Sequence, residues 1–185
     1  MRRGGHDRGA AAVEFALVAT VLFPLLFAVV DYGIYFADVI AVQRSAGEIA
    51  RAATLSTGGP AGVGGLDPAG VAGCPQTGPL ATDPLQLAAC VAAGRTRTLT
   101  GTVHARARSL DAAGAPLLDW GTGGTLRLCV VSVHPPILPL IPFPNGGRIE
   151  ARVDMPVEPQ GVVQLMTTTV TAAGGGAVDW QSCDD

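Results

Sequence analysis

Sixteen consecutive residues, Phe15 to Val30, carry no charge, and between Ala10 and Ala37 the only charged side chains are Glu14 and Asp31. A helix needs about 20 mostly apolar residues to cross the hydrocarbon of a bilayer, and this stretch reaches that length with its ends included. Arg2, Arg3 and Arg8 precede it. The bias of basic residues toward the cytoplasm therefore predicts a single-pass protein of the cytoplasmic membrane, N-terminus inside and C-terminal part extracytoplasmic. A cleaved signal peptide would end its apolar run on small residues in an A-x-A-like pattern. Here the run passes into Asp31-Tyr32-Gly33-Ile34-Tyr35-Phe36, so the segment is expected to stay as an anchor.

The helical period does not stop at the membrane. Val39, Val42, Ala46, Ile49 and Ala53 recur at steps of three and four, while Arg44, Glu48 and Arg51 occupy the other side at charge-pairing spacing. The pattern predicts one helix from about Ala10 to about Leu55, roughly 65 Å long at 1.5 Å per residue. Pro24 removes one backbone hydrogen bond within it, a loss that membrane helices tolerate and that usually kinks them.

Three features stand out along this helix: Arg8-Gly9-Ala10-Ala11-Ala12-Val13-Glu14-Phe15, then Pro24 followed by Asp31-Tyr32-Gly33, and finally Ala50-Arg51-Ala52-Ala53. In combination they resemble the TadE/TadG-like proteins, pilin-like components of the tight-adherence machinery that builds type IVc pili. The resemblance covers about the first 55 residues. It implies a prepilin-type peptidase cutting between Gly9 and Ala10 on the cytoplasmic side, with other pilin-like subunits and a pilus assembly platform as partners. Glu14 would then be the fifth residue of the mature chain, in the place of the pilin acid. A carboxylate at the membrane is costly unless paired, and the new amino group at Ala10, on the same or a neighbouring chain, could pair with it. The plainer reading is a helix-terminal acid at headgroup level, favoured by the helix dipole.

Beyond the helix the chain reads as a small exported domain. The organisation expected is a leader over 1–9, a transmembrane part over 10–37, a helix continuation over 38–55, a Gly- and Pro-rich connector over 56–80, and an α+β domain over 81–185 with a mostly antiparallel sheet and one short helix. Asp83, Pro84 and Gly94 are start and stop signals for that helix. Strand alternation appears in Val103/Ala105/Ala107, in Leu126/Leu128/Val130 and in Ile149/Ala151/Val153/Met155, with a weaker fourth candidate over Gly161 to Ala172. The four cysteines, Cys74, Cys90, Cys129 and Cys183, all follow the anchor, so two disulfides are expected. Cys74 with Cys90 is the simplest pairing, leaving Cys129 for Cys183. Between the second and third strands lies a proline-rich apolar loop with Pro136, Ile137, Leu138, Leu140, Ile141 and Phe143. It either contacts another subunit or the membrane surface, or folds over its own sheet.

Composition narrows the function classes. The net charge is −3 while the first nine residues carry +2, so the remainder carries −5 and is a poor grip for nucleic acid. There is no GxSxG, phosphate loop, HExxH or CxxC pair. His104 and His134 read as a strand-surface and a loop histidine, and Asp119-Trp120 and Asp179-Trp180 as coincident dipeptides. No catalytic residue, metal, cofactor or small-molecule substrate is expected. The reading is a non-catalytic minor pilin-like subunit in pilus assembly, adhesion or secretion, and the alternative is a membrane-anchored binding domain that never enters a filament.

Overall fold

The computed structural model describes residues 7–54, 71, 74, 84–99, 101–117, 124–136, 142–157, 180 and 183. Helix α1 spans Asp7–Thr54 and continues through Pro24. At 1.5 Å per residue it is about 72 Å long, more than twice the hydrocarbon thickness of a bilayer. Helix α2 spans Pro84–Arg95, and the three strands are β1 (Val103–Leu110), β2 (Thr125–Val133) and β3 (Arg148–Pro156). They form one antiparallel sheet in the order β1-β2-β3, so the expected α+β domain is what the chain builds. Asp83 and the strand candidate over 161–172 lie outside the described residues.

One face of the sheet carries the alternating apolar residues, and both helices cover it. Ala105 and Ala107, Leu126, Leu128 and Val130, and Ile149 and Ala151 pack with Val42, Ala46, Ile49, Ala50 and Ala53 of α1 and Leu85, Leu87, Ala88 and Val91 of α2. The small alanines let two helices lie close on a narrow sheet, which suits a chain with few aromatics. Helix α2 runs one residue past the expected stop at Gly94. The reason for glycine there is packing, because a Cβ at Gly94 would collide with the side chain of Val71 from the connector.

The other face is not simply wet. Arg127 and Asp154 face each other in register and form a two-point ion pair at 2.9 and 3.2 Å, joined by Arg152. Beside them Cys129 and Val131 are buried under Cys183 and Trp180, and the Arg106 guanidinium sits 5.7 Å from the Trp180 ring. His104, expected on a solvent face, is 3% exposed, on the side of the sheet where Trp180 and Cys183 also pack.

Candidate functional site

Helix α1 has two halves with opposite surroundings. From Gly9 to Val30 no residue is buried, and the large side chains stand free, Phe15 at 68%, Val21 at 69% and Val29 at 66% exposure. This is the one helix among the described residues long and apolar enough to cross a membrane. Gly9, Ala10 and Glu14 are all exposed at its start, and Pro24 lies near its middle. The burial pattern then changes within one residue. Asp31, Tyr35, Asp38, Val42, Ala46, Ile49 and Ala53 form a single buried stripe at steps of three and four, the signature of one helix face pressed on a partner.

Two members of that stripe are acids. Asp31 and Asp38 are each 1% exposed, and between them lies the fully buried ring of His134. Its Nδ1 is 3.3 Å from Asp38 Oδ2 and its Nε2 is 3.4 Å from Asp31 Oδ1. Asp38 Oδ1 also accepts a 2.6 Å hydrogen bond from the backbone N–H of Leu99. The reading of His134 as a loop histidine is thus overturned. A histidine with a carboxylate at each ring nitrogen answers the cost of burying two acids, since its imidazolium form donates from both nitrogens.

His134 is held from its own side as well. Its N–H donates to Gly147 O at 2.8 Å, continuing the β2–β3 ladder by one pair. Gly147 has φ +81°, and a Cβ on it would lie 2.5 Å from the His134 carbonyl oxygen, so only glycine fits there. Asn145, with φ 52°, sits in the turn closed by Gly146 N–H to Phe143 O, a conformation asparagine tolerates. Around the node the aromatics close ranks. Phe143 stacks on Tyr35 at 5.1 Å and meets the His134 ring edge-on at 5.1 Å, while the Tyr32 hydroxyl donates to Pro142 O at 2.9 Å. Phe143 of the proline-rich loop is buried, because α1 offers it two tyrosines and the end of β2 supplies the histidine. Pro136 is exposed, and Ile137, Leu138, Leu140 and Ile141 lie outside the described residues.

The cysteines divide. Cys74 and Cys90 are joined, fastening the connector to α2. Cys129 and Cys183 are buried neighbours held as thiols, with Cys129 Sγ 3.9 Å from Cys183 O. The hydrogen bond with Cys183, reinforced by burial, pushes the Cys129 thiol far above its ordinary range. Burial also pushes His104 below its ordinary value, and its Nδ1 has no hydrogen-bond partner among the described residues. For Asp154, burial would raise the pKa, but hydrogen bonds from Arg127 and Arg152 outweigh it and bring the carboxyl below its usual range.

Chemically, the Asp31–His134–Asp38 node is closed to solvent, so its acid and base groups face one another instead of a substrate. No metal-binding group of three or more ligands occurs among the described residues. In the sequence Asp31 stands out as the charge that ends the apolar run and as part of the family-like Asp31-Tyr32-Gly33 element, whereas Asp38 belongs to no motif. The signal was available: stepping back from Val42 by four, seven and eleven reaches Asp38, Tyr35 and Asp31.

No curated protein and no solved structure matches the chain. The family model described as TadE-like protein matches residues 9–51, from the first exposed glycine of the apolar segment to the end of the acid-bearing stripe. Over its long N-terminal helix the chain thus carries a TadE-like domain, consistent with the TadE/TadG-like family of Tad pilus systems.

Proposed function

We propose that the protein is a non-catalytic, pilin-like subunit of a Tad, or type IVc, pilus apparatus. The observation that carries this reading is the division of α1 at Asp31: an apolar half with no buried residue, followed without a break by a half bolted to its own domain. Such a rod can be held by lipid or by neighbouring helices at one end while it displays a domain at the other. Residues 10–30 make about 31 Å of helix, matching a hydrocarbon core of about 30 Å, so the spanning part ends at Val30 instead of running to Ala37. The arginines before it support a cytoplasmic N-terminus.

On this reading a prepilin-type peptidase cuts between Gly9 and Ala10, and Glu14 meets the freed amino group of Ala10 on a neighbouring helix. Export to an oxidising compartment closes Cys129 and Cys183 into a second disulfide. The test begins with mass spectrometry of the native membrane protein, for which an N-terminus at Ala10 is expected; an intact Met1 would overturn the assignment. Glu14→Gln and Glu14→Asp should both insert normally yet be lost from the assembly components co-purified from solubilised membranes. Recovery of both variants at the wild-type level would leave Glu14 as a helix-terminal acid and favour a tethered domain outside any filament.

A further inference from the structure

The domain begins where the exposed apolar segment ends, with no spacer between them. Val30 is exposed and Asp31 is buried by His134. Whatever packs on residues 31–38 consequently lies within about 12 Å of the hydrocarbon edge along the helix. A headgroup layer is about 5–8 Å thick on each side of a bilayer. Three parts of the domain are pinned in this zone: Pro142 by the Tyr32 hydroxyl, His134 by both acids, and Leu99 by Asp38.

The surface there is apolar. Beyond Val30, the large hydrophobic side chains exposed among the described residues are Phe36, Ile40, Leu99 and Val133. Phe36 and Ile40 lie on α1 just above the apolar segment, Leu99 is bound to Asp38, and Val133 immediately precedes His134. At the far end of the sheet, about 23 Å along β1 from Val103, the loop from Asp111 to Pro116 exposes no large hydrophobic residue.

We propose that this base is a membrane-seating surface: Val133 and the exposed Pro142 sit in the phospholipid headgroup layer, Phe36 and Leu99 lie at its aqueous edge, and together they fix the domain's orientation on the bilayer. The occupant is lipid because the surface is continuous with the lipid-facing segment and sits at the depth where that segment leaves the hydrocarbon. Aromatic and apolar side chains at that depth gain from partial immersion. The proposal rests on the reading that α1 spans the membrane. It adds that a subunit leaving the bilayer must also lift its domain base out of the headgroups.

The test uses the full chain in phosphatidylcholine–phosphatidylglycerol vesicles containing brominated phosphatidylcholine, with tryptophan emission read against the wild type, which already carries Trp120 and Trp180. Val133→Trp and Leu99→Trp are exposed sites that leave the core unchanged. Both should lose added emission to bromines near the headgroup, Val133→Trp more than Leu99→Trp. Phe23→Trp should be quenched by bromines deep in the acyl chains, and Ala112→Trp, at the far end, should not be quenched. Quenching of Phe23→Trp without quenching of Val133→Trp or Leu99→Trp overturns the seating and leaves the span standing. Failure of Phe23→Trp overturns span and seating together. Shielding of Val133→Trp that appears only with added pilin-like subunits, without lipid quenching, assigns the surface to a protein partner and overturns the proposal.

Discussion

His134 shows how much one side chain can settle. Two carboxylates on the buried face of α1 would be prohibitive alone, and the ring between them is what allows the helix to present that face to the sheet. Removing one member of such a group strands buried charge. His134→Ala should cost about 3–5 kcal/mol, read as a lower urea midpoint of the full chain in detergent, and adding Asp31→Asn should recover part of the loss. Midpoints equal to wild type would show that the acids are satisfied without the ring. His104 is buried in a different way, with no carboxylate at its free nitrogen. Its folded-state pKa is depressed, so the folded protein resists protonation where the unfolded chain accepts it. The stability it permits is present above the ordinary imidazole value of about 6.5 and is lost as pH falls through the depressed folded value. The difference in unfolding free energy between wild type and His104→Gln should therefore shift against wild type on acidification from pH 7 to about pH 5. A pH-independent difference would contradict the assignment.

At the scale of elements, α2 and the connector depend on each other. Cys74 reaches Cys90 on α2, and Val71 of the same connector occupies the space that Gly94 leaves open. The bridge closes a loop over a sequence separation of 16 residues. In the chain-entropy account such a loop is worth about 3 kcal/mol. Replacing Cys74 and Cys90 together by serine should lower stability by about that amount under oxidising conditions, while leaving the helix content of α1 unchanged by circular dichroism. A double variant as stable as wild type would mean that Val71 and its neighbours hold the connector unaided. The sheet needs no such staple on its inner face, where alternation and helix cover suffice. Its outer face is the part that borrows cover from Trp180 and Cys183 near the chain's end.

For the molecule as a whole, the break at Asp31 makes the two halves of α1 separable. Among the described residues, none from Gly9 to Val30 is buried by the domain, so that segment is expected to contribute to location and not to folding. A chain trimmed to begin at Val29 should be soluble, should keep the sheet and the Cys74–Cys90 bridge, and should unfold within about 1 kcal/mol of the full chain. Asp31 would then stand in the first turn of the helix, where a negative charge is favoured. Aggregation or loss of the cooperative transition would show that the apolar half supports the fold after all.

The long helix, its lipid-compatible stretch and the three strands were legible in the chain because each is a local regularity: length without charge, period 3.6, period two. The family resemblance was legible for the same reason, since it lies in adjacent residues over 9–51. What the linear pattern did not reveal were contacts between residues far apart in sequence. His134 precedes two prolines and looked like part of a loop, yet it lies 96 residues from Asp38 and 103 from Asp31 in sequence, within hydrogen-bonding distance of both. His104 was misplaced on the same grounds, because burial is decided by what covers a residue and not by the strand that carries it. Local periodicity determined the elements of this protein; only tertiary packing decided that the exposed apolar face of α1 gives way to a protein-facing one at a buried aspartate, because the ring within hydrogen-bonding distance of that carboxylate comes from 103 residues further along the chain.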